Sequence, residues 1–329
     1  MSGVQTLTVA PEDAEIRLDR WFKRHFPSLA HGRLEKLLRT GQVRVDGKRA
    51  EASDRVAPGQ RVRVPPLPED GAPPRKDRSP RITDSDARYV RGLVIHRDED
   101  VIVIDKPAGL AVQGGSGTTR HLDALLDALR FDAEERPRLV HRLDKDTSGV
   151  LVLARSSAVA AKLAAAFRSK TVRKLYWAAV VGAPKPRNGK IDQSLAKHAG
   201  PKGERVSEDE EDGEPALTFY RTVAHAGERI AWLALEPVTG RTHQLRVHCA
   251  GLGTPILGDR KYGGGAFIAG LPPPRQLHLH ARAIALPHPR GGTLTASAKL
   301  PPHMRATWSF FGFEEGQEGE AFPQLVHPR

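Results

Sequence analysis

The stretch PPLPEDGAPPRKDRSPR, residues 65–81, constrains the architecture more than any other part of the chain. Proline, glycine and charge replace any apolar period there, so the segment has nothing to bury and no regular hydrogen bonding to offer. The 329 residues therefore divide into a small N-terminal unit over 1–66, a linker over 67–88 and a large unit over 89–329. The last fifteen or so residues lack periodicity and are expected to be disordered.

In the small unit, IRLDRWFKRHFP places Leu18, Trp21, Phe22 and Phe26 at helical spacing and stops at Pro27. HGRLEKLLRTG repeats the pattern through Leu34, Leu37 and Leu38 to Gly41. QVRVDGKRA then alternates polar and apolar residues and turns at Asp46 and Gly47, predicting a hairpin, and QRVRVP predicts a later strand. The unit reads as two helices followed by β-structure. Residues 17–49 carry ten Lys and Arg against three Asp and Glu. Over the whole chain 51 basic residues face 39 acidic ones, a net charge of +12, which favours a polyanionic partner.

A single cysteine, Cys249, excludes an internal disulfide framework and suits a reducing compartment. The N-terminus carries no basic-then-apolar leader, and no apolar run is long enough to cross a bilayer, so a cytoplasmic monomer away from membranes is expected.

In the large unit, LVIHRDEDVIVIDKPAG predicts two strands around a charged turn. HLDALLDALR and SSAVAAKLAAAFRSK predict helices, and LYWAAVVG, IAWLALEP and LRVHCA predict strands. Strand signals outnumber helix signals without alternating with them, which predicts an α+β fold with a mixed, mostly antiparallel sheet and flanking helices. GGSG at 114–117 lacks the Gly-Lys-Ser/Thr of a phosphate loop and reads as a flexible turn.

The loop HRLDKDTSG, 141–149, sets Arg142, Asp144, Lys145 and Asp146 between two apolar runs. Turn-capping aspartates, half of an aspartic-protease dyad, and a catalytic loop with one working carboxylate all fit such a loop. The dyad needs two such half-sites and the chain holds one. Tyr176 on a buried strand and the run TGRTHQLRVH, with Arg241, His243, Gln244, Arg246 and His248, favour the catalytic loop, because a guanidinium keeps a half-buried carboxylate ionised. For Arg241 and His243 a structural role weighs as much as a functional one. His243 and His248 stand five apart without a Glu-x-x-His pattern, so no metal site is expected.

Five ordered segments, LVHRLDKDTSGVLVLAR, KLYWAAVVG, TGRTHQLRVH, GTPILGDRKYG and LHLHARAIALPHP, together resemble the RluA-type pseudouridine synthases over about residues 93–300. The first unit resembles an S4 RNA-binding domain, although LAHGR stands where that family has a serine-rich helix start. The resemblance implies an isomerase that turns uridine into pseudouridine in RNA, with no metal or organic cofactor. It implies Asp144 as nucleophile, Tyr176 against the base, Arg246 paired with Asp144, and Arg142 entering the stack as the nucleotide is flipped out. Arg33, Lys36, Arg39 and Arg44 fall on its RNA-facing surface. AVQGGSG is most similar to the C-type subfamily acting on large-subunit ribosomal RNA. Transfer RNA as target, or a non-catalytic ribosome-associated RNA-binding protein, are the alternatives. Asp146 is expected to cap the Thr147-Ser148 turn, and the acidic run Glu208–Asp212 to lie on a solvent loop pointing away from RNA.

Overall fold

The computed structural model describes residues 3–29, 31–67, 82–114, 120–198, 205–209, 211–264, 268 and 276–319. The chain forms two compact units, 1–79 and 80–329.

The first unit runs β1 (Gln5–Thr8), α1 (Leu18–His25), α2 (His31–Arg39), β2 (Arg44–Val45), β3 (Lys48–Arg49) and β4 (Arg61–Val64), with sheet order β1-β4-β2-β3. Leu18, Trp21 and Phe22 of α1 and Leu34, Leu37 and Leu38 of α2 bury one face of each helix with Val43, Val62 and Val64. Asp46 and Gly47, both at positive φ (48° and 77°), make the two-residue turn of the β2–β3 hairpin, the primed geometry that matches strand twist. Asp13 is buried, and its carboxylate takes the Arg24 guanidinium and the His25 ring, tying the entry to α1 to the helix itself.

The second unit contains α3 (Asp84–Arg91), β5 (Val94–Arg97), β6 (Val101–Lys106), α4 (Leu122–Leu125) leading into a 3-10 turn (Leu126–Leu129), β7 (Arg138–Leu139), β8 (Ser148–Ala154), α5 (Ser157–Arg168), β9 (Arg173–Val181), β10 (Asn188–His198), β11 (Arg205–Glu208), β12 (Glu214–Ala226), β13 (Ile230–Pro237), α6 (Gln244–Gly251), β14 (Leu279–Pro287), β15 (Thr293–Ser297) and α7 (Pro302–Phe311). Its strands form one sheet of order β11-β10-β12-β13-β9-β14-β8-β6-β5, with β15 beside β14 and β7 beside β8. The α+β expectation holds. Pairing is antiparallel except between β14 and β8, which run parallel where His280 meets Ser148 and Ala281 meets Gly149. β8, SGVLVLA, is buried along its whole length because α4 covers Leu151 and Leu153 on one face while α5 covers Val150 and Val152 on the other. In the other half, Trp177 and Trp232 pack against Trp308 of α7, and Ala178 and Leu233 against Leu245 and Cys249 of α6.

Three expectations are corrected here. Residues 84–88, assigned to the linker, belong to α3, because the Thr83 hydroxyl accepts the Asp86 N–H at 3.1 Å and Val90 buries completely against the 3-10 turn of the second unit. LRVHCA is helix, not strand. Its apolar residues Leu245, Val247 and Cys249 are all buried, so with both sides of the segment covered no alternation or helical stripe could separate the two states. Within the tail, residues 312–319 are ordered. Gly312 ends α7 at positive φ, and Phe313 packs edge-on against Trp308 at 5.8 Å. Residues 320–329, and most of the GGSG turn, lie outside the described residues.

Three histidines are buried as hydrogen-bonded neutral rings: His248 on Thr218 Oγ1 (3.0 Å), His278 on Thr307 Oγ1 (2.8 Å) and His280 on Ser148 Oγ (2.9 Å). Burial pushes each down to about 4. Between the ordinary histidine value and that pH the unfolded chain binds protons that the folded chain refuses, so stability falls on acidification. Each histidine is expected to remove about 2 kcal/mol between pH 7 and pH 5. Urea midpoints at the two pH values measure this, and a midpoint that stays level would show the rings charged in the fold.

Candidate active site

The loop 140–147 begins where β7 leaves the sheet. The Val152 N–H that loses its strand partner there donates instead to His141 Nε2 at 2.8 Å, and the ring stacks on Phe167 at 4.6 Å. Burial pushes His141 down to about 3, so it is a neutral cap. Leu143 turns into the core, which directs its neighbours Arg142 and Asp144 outward. From the end of β6 the fully buried Lys106 ammonium donates to the carbonyls of Pro107 (3.0 Å), Leu110 (2.9 Å) and Lys145 (3.1 Å). Burial lowers Lys106 to about 8, opposed by the charges of Asp146 and Asp144. The Thr147 N–H donates to the Asp144 carbonyl at 3.2 Å and the Gly109 N–H to the Lys145 carbonyl at 2.8 Å, completing the loop's backbone contacts.

Asp144 and Tyr176 line one cavity of about 560 Å³, together with Arg142, Lys174, Arg241, His243 and Arg246. A volume of that order admits a nucleotide with its sugar. Tyr176 reaches it from β9, beside Ala281 of β14, which in turn pairs with Gly149 at the start of β8. The parallel β14–β8 junction therefore brings residues 144 and 176 together. Burial, and then the Asp144 charge, push the Tyr176 phenol above its ordinary value, so it stays protonated. Lys174, two residues earlier on the same strand face, donates to the Thr239 carbonyl at 3.3 Å, and burial lowers it to about 8.

Arg246 lines the cavity, but its ion pair is with Asp259, not Asp144. Nε and Nη2 reach the two Asp259 oxygens at 2.7 Å each, on side chains that are both buried. The Asp259 carboxylate also accepts the N–H groups of Lys261 (2.9 Å) and Tyr262 (3.0 Å), and these bonds with Arg246 hold it below the usual carboxylate range against desolvation. The expected Arg246–Asp144 pair is corrected accordingly: α6 points the guanidinium at Asp259, and Asp144 acts on it only through space.

His243 places its ring nitrogen Nε2 3.9 Å from Asp144 Oδ2. His243 caps α6 from a left-handed conformation (φ 54°). The next residue holds this turn: Gln244 Oε1 accepts from the Thr239 hydroxyl (2.8 Å) and the Arg241 N–H (3.0 Å), while Nε2 donates to the Leu217 carbonyl and the Thr218 hydroxyl, both at 3.0 Å. Arg241 donates to Glu214 Oε2 at 2.8 Å and to the Pro215 carbonyl at 3.2 Å. Two further expectations change here. The acidic hairpin does not point away: Asp209, Asp212 and Glu214 line a cleft of about 360 Å³ that shares Arg241 with the main cavity. Asp146 is exposed and makes no hydrogen bond to the turn, its charge acting on Lys106 instead.

Arg142 is exposed at the cavity and makes no hydrogen bond or ion pair among the described residues. In the first unit Arg33, Lys36, Arg39 and Arg44 are all exposed. Arg44 alone is tied down, donating to the carbonyls of Gly41 (3.2 Å) and Gly47 (2.9 Å). Among the described residues no group of three His, Cys, Asp or Glu is placed to hold a metal, and no helix is long and apolar enough to cross a membrane.

Residues 100–251, from β6 to the end of α6 and so including Asp144, Tyr176 and Arg246, match the family described as RNA pseudouridylate synthase. Ribosomal large subunit pseudouridine synthase C of Rickettsia conorii is 36% identical, over 87% of this chain and 94% of its own. The chain belongs to the RNA pseudouridylate synthase family. RNA pseudouridine synthase 4, mitochondrial, of Arabidopsis thaliana is 37% identical over 88% of this chain and 74% of its own. The structure of human RNA Pseudouridylate Synthase Domain Containing 4 superposes with a TM-score of 0.58 at 29% identity, over 69% of this chain and 95% of that one. The protein is thus an isomerase acting on RNA.

Sequence reasoning passed over Lys106, Asp259 and Tyr262. Lysine at the end of the run VIVID, ahead of Pro107, was the available signal for the first. Asp259 and Tyr262 stood inside GTPILGDRKYG, without any spacing that would pair them with Arg246 or His243.

Proposed function

We propose that this synthase isomerises uridine in large-subunit ribosomal RNA, with Asp144 as the nucleophile. The observation that carries the reading is the Asp144 carboxylate in a nucleotide-sized cavity beside the neutral Tyr176 phenol. An Asp144 oxygen attacks C1′ of the flipped ribose and the C1′–N1 bond breaks, leaving the uracil anion in the cavity. The ring turns, C5 attacks C1′, and the bond to Asp144 breaks. C5 loses its proton and N1 gains one, so every atom of the nucleotide is conserved. A protonated Tyr176 suits stacking on the base better than taking the C5 proton, because burial opposes the phenolate that removal would need. Arg142, exposed at the mouth, fills the place the uridine leaves, repaying part of the unstacking.

The RNA target rests on relatives such as the Rickettsia protein, whose names specify the ribosomal large subunit. Mapping pseudouridine by carbodiimide adducts and primer extension in cells lacking the gene tests it. Loss at a few large-subunit uridines is expected; loss confined to transfer RNA would overturn the target.

The first unit is proposed as the RNA-docking element of S4 type, since its two helices and the following turn present Arg33, Lys36, Arg39 and Arg44 on exposed positions. Neutralising Arg33, Lys36 and Arg39 together is expected to weaken RNA binding and reduce the slope of log K against log salt by about 2. Filter-binding titrations between low and physiological salt measure both; an unchanged slope would place the phosphate contacts elsewhere.

A further inference from the structure

Tyr262 and His243 form a chain that ends on the nucleophile. The Tyr262 oxygen accepts the Val206 N–H at 3.2 Å and lies 2.7 Å from His243 Nδ1, while Nε2 of the same ring faces Asp144 Oδ2 at 3.9 Å. Two arrangements of one imidazole proton are open. With the proton on Nδ1, the Tyr262 oxygen would receive two N–H groups and its own hydroxyl proton would be left over. At the other end a bare Nε2 lone pair would face a carboxylate. With the proton on Nε2, the Tyr262 O–H donates to Nδ1, its oxygen still accepts from Val206, and Nε2–H points at Asp144. The second arrangement gives the Tyr262 hydroxyl and Nδ1 their partners and turns a donor toward the carboxylate, whereas the first leaves unfavourable contacts at both ends of the ring.

We infer that His243 is a positioning residue for the nucleophile: a neutral imidazole, held as the Nε2–H tautomer by Tyr262, which donates to Asp144 and fixes the carboxylate for attack on C1′. The inference rests on Asp144 being the nucleophile. A separation of 3.9 Å is longer than a hydrogen bond, as such contacts often are before substrate closes the site. Burial, with the charges of Arg246 and Lys261, holds His243 below its ordinary value despite Asp144, in keeping with a neutral ring. The same geometry gives Arg246 a part without an ion pair to Asp144. Arg246 fixes Asp259, Asp259 fixes the Tyr262 backbone, and Tyr262 orients His243. Because Val206 belongs to β11, the acidic hairpin reaches the nucleophile through this chain.

His243→Ala is expected to lower kcat about 10²-fold with KM unchanged, the size of effect a misplaced reacting group produces. His243→Gln, which keeps a side-chain N–H donor, should restore most of kcat, and Tyr262→Phe should lower kcat less than His243→Ala does. Thermal melting of each variant separates these effects from unfolding, and nitrogen-15 spectra of the full chain should show His243 as the Nε2–H tautomer, its Nε2 signal moving in Asp144→Asn. The inference is overturned by an Nδ1–H tautomer, by equal loss in the Ala and Gln variants, or by wild-type kcat in His243→Ala while Asp144→Asn is inactive. An active Asp144→Asn would instead remove the nucleophile assignment, and this inference with it.

Discussion

Asp144→Asn is expected to abolish pseudouridine formation, lowering the single-turnover rate by at least about 10⁴-fold while RNA affinity changes little. The amide keeps the size and one acceptor of the carboxylate but cannot form the bond to C1′. The loop should hold its shape, because Lys106 and Gly109 contact the Lys145 carbonyl and Thr147 contacts the Asp144 carbonyl; none of these uses the Asp144 side chain. Tritium release from RNA labelled at uridine C5, with a parallel binding titration, separates chemistry from docking. Retained release with the asparagine would give the attack to another group.

Gly149→Ala is expected to destabilise the second unit strongly. Gly149 sits at φ 111°, and an added Cβ would stand 2.2 Å from the Ala281 carbonyl oxygen and 2.7 Å from its carbon. These are backbone atoms of the strand paired in parallel with β8, so relief means separating β8 from β14 at the junction that brings residues 144 and 176 together. A loss above about 4 kcal/mol follows, with activity falling in step. Gly227→Ala provides the comparison. Gly227 also has positive φ (59°), yet nothing lies within 4 Å of its added Cβ, so only the backbone term of about 1–2 kcal/mol applies. Urea midpoints for the two variants test the difference, and equal losses would show that the β8–β14 approach is not tight.

Local signals carried most of the fold. Leu18, Trp21 and Phe22, then Leu34, Leu37 and Leu38, marked two helices through their spacing, and Asp46-Gly47 marked a hairpin through the backbone conformation it tolerates. Where spacing misled, burial was the reason. In LRVHCA every residue from Leu245 to Cys249 is covered, so the pattern that distinguishes strand from helix was erased. The Thr83–Asp86 cap was readable, but the composition before it hid it. Of the proposed catalytic groups, Asp144 and Tyr176 came from ordered motifs and do share a cavity. The Arg246 pairing did not follow, because a motif names residues without saying which way a side chain turns.

Sequence by itself determined the α+β class, the basic character of the first helices and the family to which HRLDKDTSG, KLYWAAVVG and TGRTHQLRVH point. Each depends on neighbours within a turn, a strand or a motif, so short-range chemistry is enough. Tertiary structure alone decided who touches whom. Lys106 is 39 residues from the Lys145 carbonyl it holds, Tyr262 is 19 from His243, and His243 lies about a hundred residues from Asp144. The antiparallel β6–β8 register brings Lys106 to the Lys145 carbonyl, and the one parallel pairing, His280 to Ser148 and Ala281 to Gly149, joins the two halves of the sheet and sets Tyr176 of β9 beside the start of β8. No local preference encodes that register, since it follows from burying both faces of β8 at once.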